Sequence, residues 1–226
     1  MEGIKEIFKD KNFNEETLKL IENFISEFGE LFGKYVSRDE VIKRIKENLN
    51  ENITFSKFEK EKTLGTYDSK DKRITLKENL KEDYIKAVFF HEMIHCITNR
   101  GDYVGFTGEL EERTAKGITE GFTQYVSKIR NQKYGVFLNS YPILTEQTEN
   151  LVELLGEEKF LEAAFNNPEN VFDLMEEEAL IEDSFDAEDF CECFDVIWKY
   201  EDEIYRGKTA EGRLLAAIFG RKSRWK

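Results

Sequence analysis

The sequence predicts an α+β protein that is mostly helical, with one small sheet. Only two prolines stand in a chain of 226 residues that carries 35 glutamates, and apolar residues recur at helical spacing through most of its length. Residues 53–76 break that pattern: there apolar and polar side chains alternate with the period of a half-buried strand.

Over residues 14–36, Leu18, Ile21, Phe24, Ile25, Phe28, Leu31, Phe32 and Tyr35 form a core-facing helical stripe. Ser37-Arg38-Asp39-Glu40 reads as a capping box that opens a second helix through Leu49. Ile53–Phe58 and Thr63–Tyr67 read as short strands, and a polar turn at Asp68–Lys72 joins the latter to Arg73–Leu76 as a hairpin. Asp83–Thr98 reads as one largely apolar helix that stops at Asn99-Arg100-Gly101, with Gly101 available as a left-handed C-cap. After Tyr141-Pro142 come helices near Leu144–Leu155 and Glu157–Phe165, then one starting near Asn167-Pro168. Phe190, Phe194 and Ile197 place a further packed helix inside an acidic stretch. The expectation is one domain, with helical parts at 1–50 and 136–226 around a core at 51–135.

The Asp83–Thr98 helix carries the chemistry. His91-Glu92-Met93-Ile94-His95 holds the only two histidines of the chain, four positions apart, so both imidazoles share one helix face and can reach one metal ion. A catalytic zinc takes three protein ligands and keeps a position for water. Glu92, beside the first histidine, can take a proton from that water as general base. A carboxylate in so apolar a helix also needs a partner or a metal.

With no third histidine, the metzincin arrangement is excluded, and Cys96 points off the shared face. A carboxylate must complete the set. Glu120 is the best candidate, 25 residues after His95 and thus on a second helix packed against the first. Asp102 is next, followed by Glu109, Glu111 and Glu112. Gly117 and Gly121 flank Glu120 at a cost of about 1 kcal/mol each relative to Ala, tolerable where another backbone approaches closely. Thr119, Thr123 and Gln124 are candidates to orient the histidines from behind.

With His91, His95 and a distant helical Glu120, the chain resembles the gluzincin branch of the zincin metallopeptidases. Glu120-Gly121-Phe122-Thr123-Gln124-Tyr125 is similar to the "EG-x-T-x-Y" form of small bacterial proteins of that kind. The resemblance covers roughly residues 50–135. It implies a zincin-like core, one zinc ion per chain, and hydrolysis of a peptide or protein substrate. It implies a small sheet before the metal helix, with Arg73–Leu76 as the edge along which an extended substrate pairs. It also implies a donor to the oxyanion from outside the motif, to be drawn from Tyr103, Tyr125, Tyr134, Tyr141 or Arg113, with Tyr125 and Tyr103 carried forward as catalytic candidates. Two other readings remain: a selective protease acting on one partner protein, or a zincin-like binding or scaffold protein that keeps the metal but catalyses nothing. The intact Glu92 speaks against the latter.

A net charge of −14 argues against nucleic acid as the main partner, although Arg221, Lys222 and Arg224 make the tail basic. Eleven acidic residues between Asp173 and Asp195 read as the solvated face of a packed helix, or as a surface that excludes anionic substrates or recruits a basic protein. Cys96, Cys191 and Cys193 make an unpromising disulfide set. With no signal-peptide pattern at Met1–Glu6 and no run of membrane-spanning length, the expectation is a cytoplasmic protein without a membrane partner. Oligomeric state is not legible.

Overall fold

The computed structural model describes residues 2–59, 63–100, 105–106, 115–138, 140–168, 170–178 and 184–206. Among these, α1 (Glu2–Ile7), α2 (Glu15–Phe32) and α3 (Arg38–Asn48) precede a three-stranded sheet of β1 (Thr54–Ser56), β2 (Gly65–Asp68) and β3 (Arg73–Lys77). Six helices follow: α4 (Glu82–Thr98), α5 (Lys116–Tyr134), α6 (Pro142–Leu155), α7 (Glu157–Asn166), α8 (Asn170–Glu177) and α9 (Ser184–Arg206). The protein is mostly helical with a small mixed sheet.

Local chemistry sets several of these boundaries. Asn14 opens α2 by accepting from the Thr17 N–H at 2.8 Å, and Ser37 opens α3 by accepting from the Glu40 N–H at 3.2 Å. The stripe expected to extend to residue 36 leaves the helix at Phe32, with Gly33 at the C-cap, although Val36 remains buried. Asn99 closes α4, while Gly101 lies outside the described residues. Gly135 ends α5 in the left-handed conformation, φ 66°, which glycine adopts without steric cost.

The sheet order is β1-β3-β2, with β1 parallel to β3 and β2 antiparallel to it. This corrects the expectation for Arg73–Leu76. That segment is the central strand, bonded on both sides, and the edges are β1 and β2. The reason is connectivity: β1 pairs with β3 across the intervening hairpin rather than with its sequence neighbour β2.

One apolar cluster draws residues from Ile4 in α1 to Ile197 in α9, so the three sequence-defined parts share a core. Aromatic contacts knit it together, with Phe165 of α7 meeting Phe28, Phe32 and Phe122 at centroid separations of 5.3–5.5 Å. Helix α4 lies inside, against α2, α3, α5 and the sheet, and α5 packs in turn on α6 and α9. Gly117 explains how closely α5 meets α9: a Cβ there would collide with the Phe194 carbonyl. A Cβ on Gly121 would meet Thr148 Oγ1 of α6. Among the described residues, no helix is long and apolar enough to cross a membrane.

Candidate metal centre

Helix α4 is apolar on nearly all sides, with Val88, Phe89, Phe90, Met93, Ile94 and Ile97 buried, so its position is fixed by packing. That placement turns His91 and His95 toward α5, their ring centroids 5.0 Å apart. Across the helix crossing, Glu120 Oε2 lies 3.5 Å from each histidine Nε2. One ligand atom from each of His91, His95 and Glu120 falls within 4.8 Å of the others, so the three together could hold a metal ion.

The residues present fit such an ion. Glu120 Oε2 is buried and makes no hydrogen bond, an arrangement that native interiors avoid unless something else satisfies the oxygen. The two imidazoles are held from behind: Thr123 Oγ1 lies 3.4 Å from His95 Nδ1, and Ser127 Oγ lies 3.5 Å from His91 Nδ1. Nε2 of each ring is thereby left to face Glu120. Of the three polar residues considered for this role, Thr123 alone faces a histidine. The Thr119 hydroxyl accepts from the Phe106 N–H, and Gln124 donates toward the Leu138 carbonyl. Ser127 was missed, yet Glu120, Thr123 and Ser127 recur at positions i, i+3 and i+7, a polar stripe along one buried helix face. Replacing both hydroxyls (Thr123→Val with Ser127→Ala) is expected to weaken metal binding about 10–100-fold in chelator competition. Unchanged affinity would remove these hydroxyls from any orienting role.

Burial disfavours charge throughout the site. For His95, the Glu120 and Glu92 carboxylates outweigh burial and hold the imidazole pKa above its usual value. For Glu120, burial is outweighed by His95 and His91, which hold its carboxyl well below the usual range. Glu92 goes the other way. It is 6 % exposed, and burial raises its pKa more than His91 and His95 lower it. The Tyr67 backbone N–H of β2 donates to the Glu92 carboxylate. Gly65 of the same strand presses close: a Cβ there would lie 2.9 Å from Glu92 Oε1 and 2.6 Å from Val88 Cγ1.

These shifts set a pH dependence for the metal-free chain. His95 and Glu92 both hold protons more tightly folded than unfolded, so stability falls as pH rises. The His95 contribution is complete below its ordinary value of 6.5 and is lost as pH climbs through the raised folded value. Glu120 has the opposite sign, but its contribution is already present above 4.5 and is lost only in acid. Metal-free protein is therefore expected to melt at a higher temperature at about pH 6 than at about pH 8.5. Metal-loaded protein should show the reverse, because its ligands must be deprotonated. A metal-free melting temperature that rises over this interval would contradict the His95–Glu120 pairing.

The tyrosines separate clearly. Tyr125, taken from the sequence as catalytic, packs its ring on Phe160, and burial with Glu157 and Glu149 raises its pKa. It belongs to the α5–α7 packing, one helical turn past Glu120 but turned away from the histidines. Tyr134 donates to Glu30 at 2.9 Å, also away from the site. Tyr103, Asp102, Glu109, Glu111, Glu112 and Arg113 lie outside the described residues. Among the described residues, Tyr141 is the tyrosine whose ring meets a histidine of the cluster. Its ring stacks on His91 with centroids 6.4 Å apart, and burial together with Glu120 and Glu92 holds its phenol well above the usual value.

Helix α9 braces this arrangement with acidic side chains. Asp195 accepts from the Gly117 N–H at 2.7 Å, in the first turn of α5, and Glu201 accepts from the Ile143 N–H at 2.7 Å, in the first turn of α6. Part of the acidic stretch thus faces inward, onto the positive ends of two helices. Cys191 is buried in α9 and Cys193 is exposed, so the Cys-x-Cys pair does not converge.

Comparison of the chain with protein-family models, with curated proteins and with solved structures finds no match in any of the three.

Proposed function

We propose that the chain is a zinc-dependent metallopeptidase of gluzincin type, with His91, His95 and Glu120 as ligands and Glu92 as general base. The observation that carries the reading is Glu120 Oε2, buried without a hydrogen bond 3.5 Å from both Nε2 atoms, with Glu92 one residue from the first ligand. Two imidazoles and one carboxylate suit zinc and leave a coordination position open. When bound, the ion supplies Lewis-acid activation of a water molecule.

The protein's own groups account for the remaining steps. The raised pKa of Glu92 suits a base that must accept a proton near neutral pH and then deliver it to the leaving amine. Tyr141, rather than Tyr125, is the donor to the carbonyl oxygen where negative charge develops, because its phenol stays protonated and its ring stands beside His91. The substrate-pairing edge moves from β3 to β2. In the register Thr66↔Thr75, with the Lys77 N–H donating to the Leu64 carbonyl at 2.8 Å, the backbone groups of Gly65 and Tyr67 turn away from the sheet. Tyr67 N–H already serves Glu92, so an extended peptide laid along this edge would meet the base directly.

The test is cleavage of a peptide library, read by mass spectrometry, by zinc-loaded wild type and by Glu92→Gln. Cleavage confined to wild type is the expected result. A zinc-loaded wild type that binds peptides and cuts none would overturn the peptidase reading in favour of a binding protein. Tyr141→Phe is expected to lower kcat by about 10²–10³ while zinc content stays at wild-type level. An unchanged kcat would move the donor elsewhere.

A further inference from the structure

Gly65 of β2 lies directly over the part of α4 that carries Glu92. A Cβ at this position would stand 2.6 Å from Val88 Cγ1, 2.9 Å from Glu92 Oε1 and 3.1 Å from Glu92 Cγ. Val88 and Glu92 are one helical turn apart, on a face of α4 that packs against β2. Backbone conformation does not call for glycine here, because Gly65 is not among the residues with positive φ. The demand is for space.

The surroundings leave a side chain at 65 little room to make its own. On one side of Gly65, the Lys77 N–H donates to the Leu64 carbonyl at 2.8 Å. On the other, the Tyr67 hydroxyl donates to the Asn48 carbonyl at 3.0 Å and accepts from Asn99 Nδ2 at 2.7 Å. The strand is thus pinned at both flanks and cannot easily back away. Val88 is 3 % exposed and β-branched, with one strongly preferred χ1 rotamer in a helix. What can still turn is the end of the Glu92 side chain.

We propose that Gly65 is a positioning residue: by leaving room for the Glu92 carboxylate against β2, it sets where the proposed base stands relative to the histidines and to a peptide on the strand edge. The kinetic consequence rests on the peptidase reading, whereas the placement of Glu92 does not. A side chain at 65 would push the carboxylate off the strand, and a misplacement of about 1 Å costs on the order of 10²-fold in rate. The three atoms nearest that Cβ belong to Val88 and Glu92, none to the His91, His95 and Glu120 cluster, so metal binding should be untouched.

The test compares Gly65→Ala, Val88→Ala and the double variant as full chains with ¹³Cδ-labelled glutamate. Before zinc is added, Gly65→Ala should move the Glu92 resonance, identified by its absence in Glu92→Gln. With zinc, it should lower kcat about 10²-fold, with KM and zinc content unchanged. It should also melt lower, because the new methyl overlaps Val88. Val88→Ala removes that overlap, so the double variant should melt higher than the two single losses together predict. Its kcat should stay low, because the methyl still meets Glu92. A purely structural role would instead let activity follow melting temperature. If Gly65→Ala alone does not fold, Val88→Ala and the double variant carry the same comparison.

A wild-type kcat in folded Gly65→Ala, or a kcat restored in the double variant, would overturn the proposal. So would a Glu92 resonance indifferent to the methyl at 65. If zinc-loaded wild type cuts no peptide, the peptidase reading fails, and the resonance still decides whether Gly65 sets the place of Glu92.

Discussion

Glu92→Gln is expected to remove peptide hydrolysis, by about 10²–10⁴-fold in kcat/KM, while the protein keeps its metal. Glu92 is not among the three residues whose ligand atoms converge, so the amide leaves the ligand set intact. It cannot accept the proton. Gln does retain a carbonyl oxygen for the Tyr67 N–H, so the link between α4 and β2 survives. The change also relieves a buried carboxylate whose surroundings disfavour its charge, so the metal-free variant should melt no lower than wild type at neutral pH. Activity and melting temperature therefore move apart, and unfolding cannot account for the loss. Hydrolysis at the wild-type rate in Glu92→Gln would remove Glu92 from the mechanism.

Glu120→Ala carries the largest expected effect on the metal. Losing an outer hydrogen-bonding partner of a ligand costs about 10–100-fold in affinity, and losing a ligand should cost more than about 100-fold. Elemental analysis of tag-free protein should find about one zinc per chain in wild type and a small fraction of that in the variant. The same change leaves His91 and His95 facing each other with no carboxylate between them, so in the metal-free variant His95 loses the main group that raises its pKa. The fall of metal-free stability with rising pH should then flatten in Glu120→Ala. Full zinc in both proteins would assign the third ligand to another acid, with Asp102 next in line.

The cluster that could hold a metal ion was legible because its chemistry is local. His91 and His95 share a face by helix geometry alone, and Glu120 was found by asking which carboxylate a second helix could bring back. The glycines around it were a fair guide, since Gly117 meets the α9 backbone and Gly121 meets α6. What failed depended on long-range arrangement. Strand order is not written in the alternation of a strand, so the Arg73–Leu76 segment gave no sign that β1 would pair on its far side. Tyr125 shares a motif with Glu120, but five positions along a helix separate side chains by more than a full turn and point them differently. Tyr141 had no motif at all. Its place beside His91 comes from the packing of α6 on α5 and from α9. The acidity of α9 read as a solvated face or a recruiting surface because one sequence cannot distinguish an acid facing water from one facing a helix end.

The bonds from Asp195 to Gly117 and from Glu201 to Ile143 span 78 and 58 residues of chain. Neither bond can form until both partner segments of the chain exist. A chain emerging from its N-terminus presents the histidine pair first, then Glu120, then Tyr141, and last the helix that holds the latter two helices in place. Maturation of the site thus has an order: capture of the ion can come well before competence to use it. For the protease we propose, that order would keep the site quiet through most of its own synthesis.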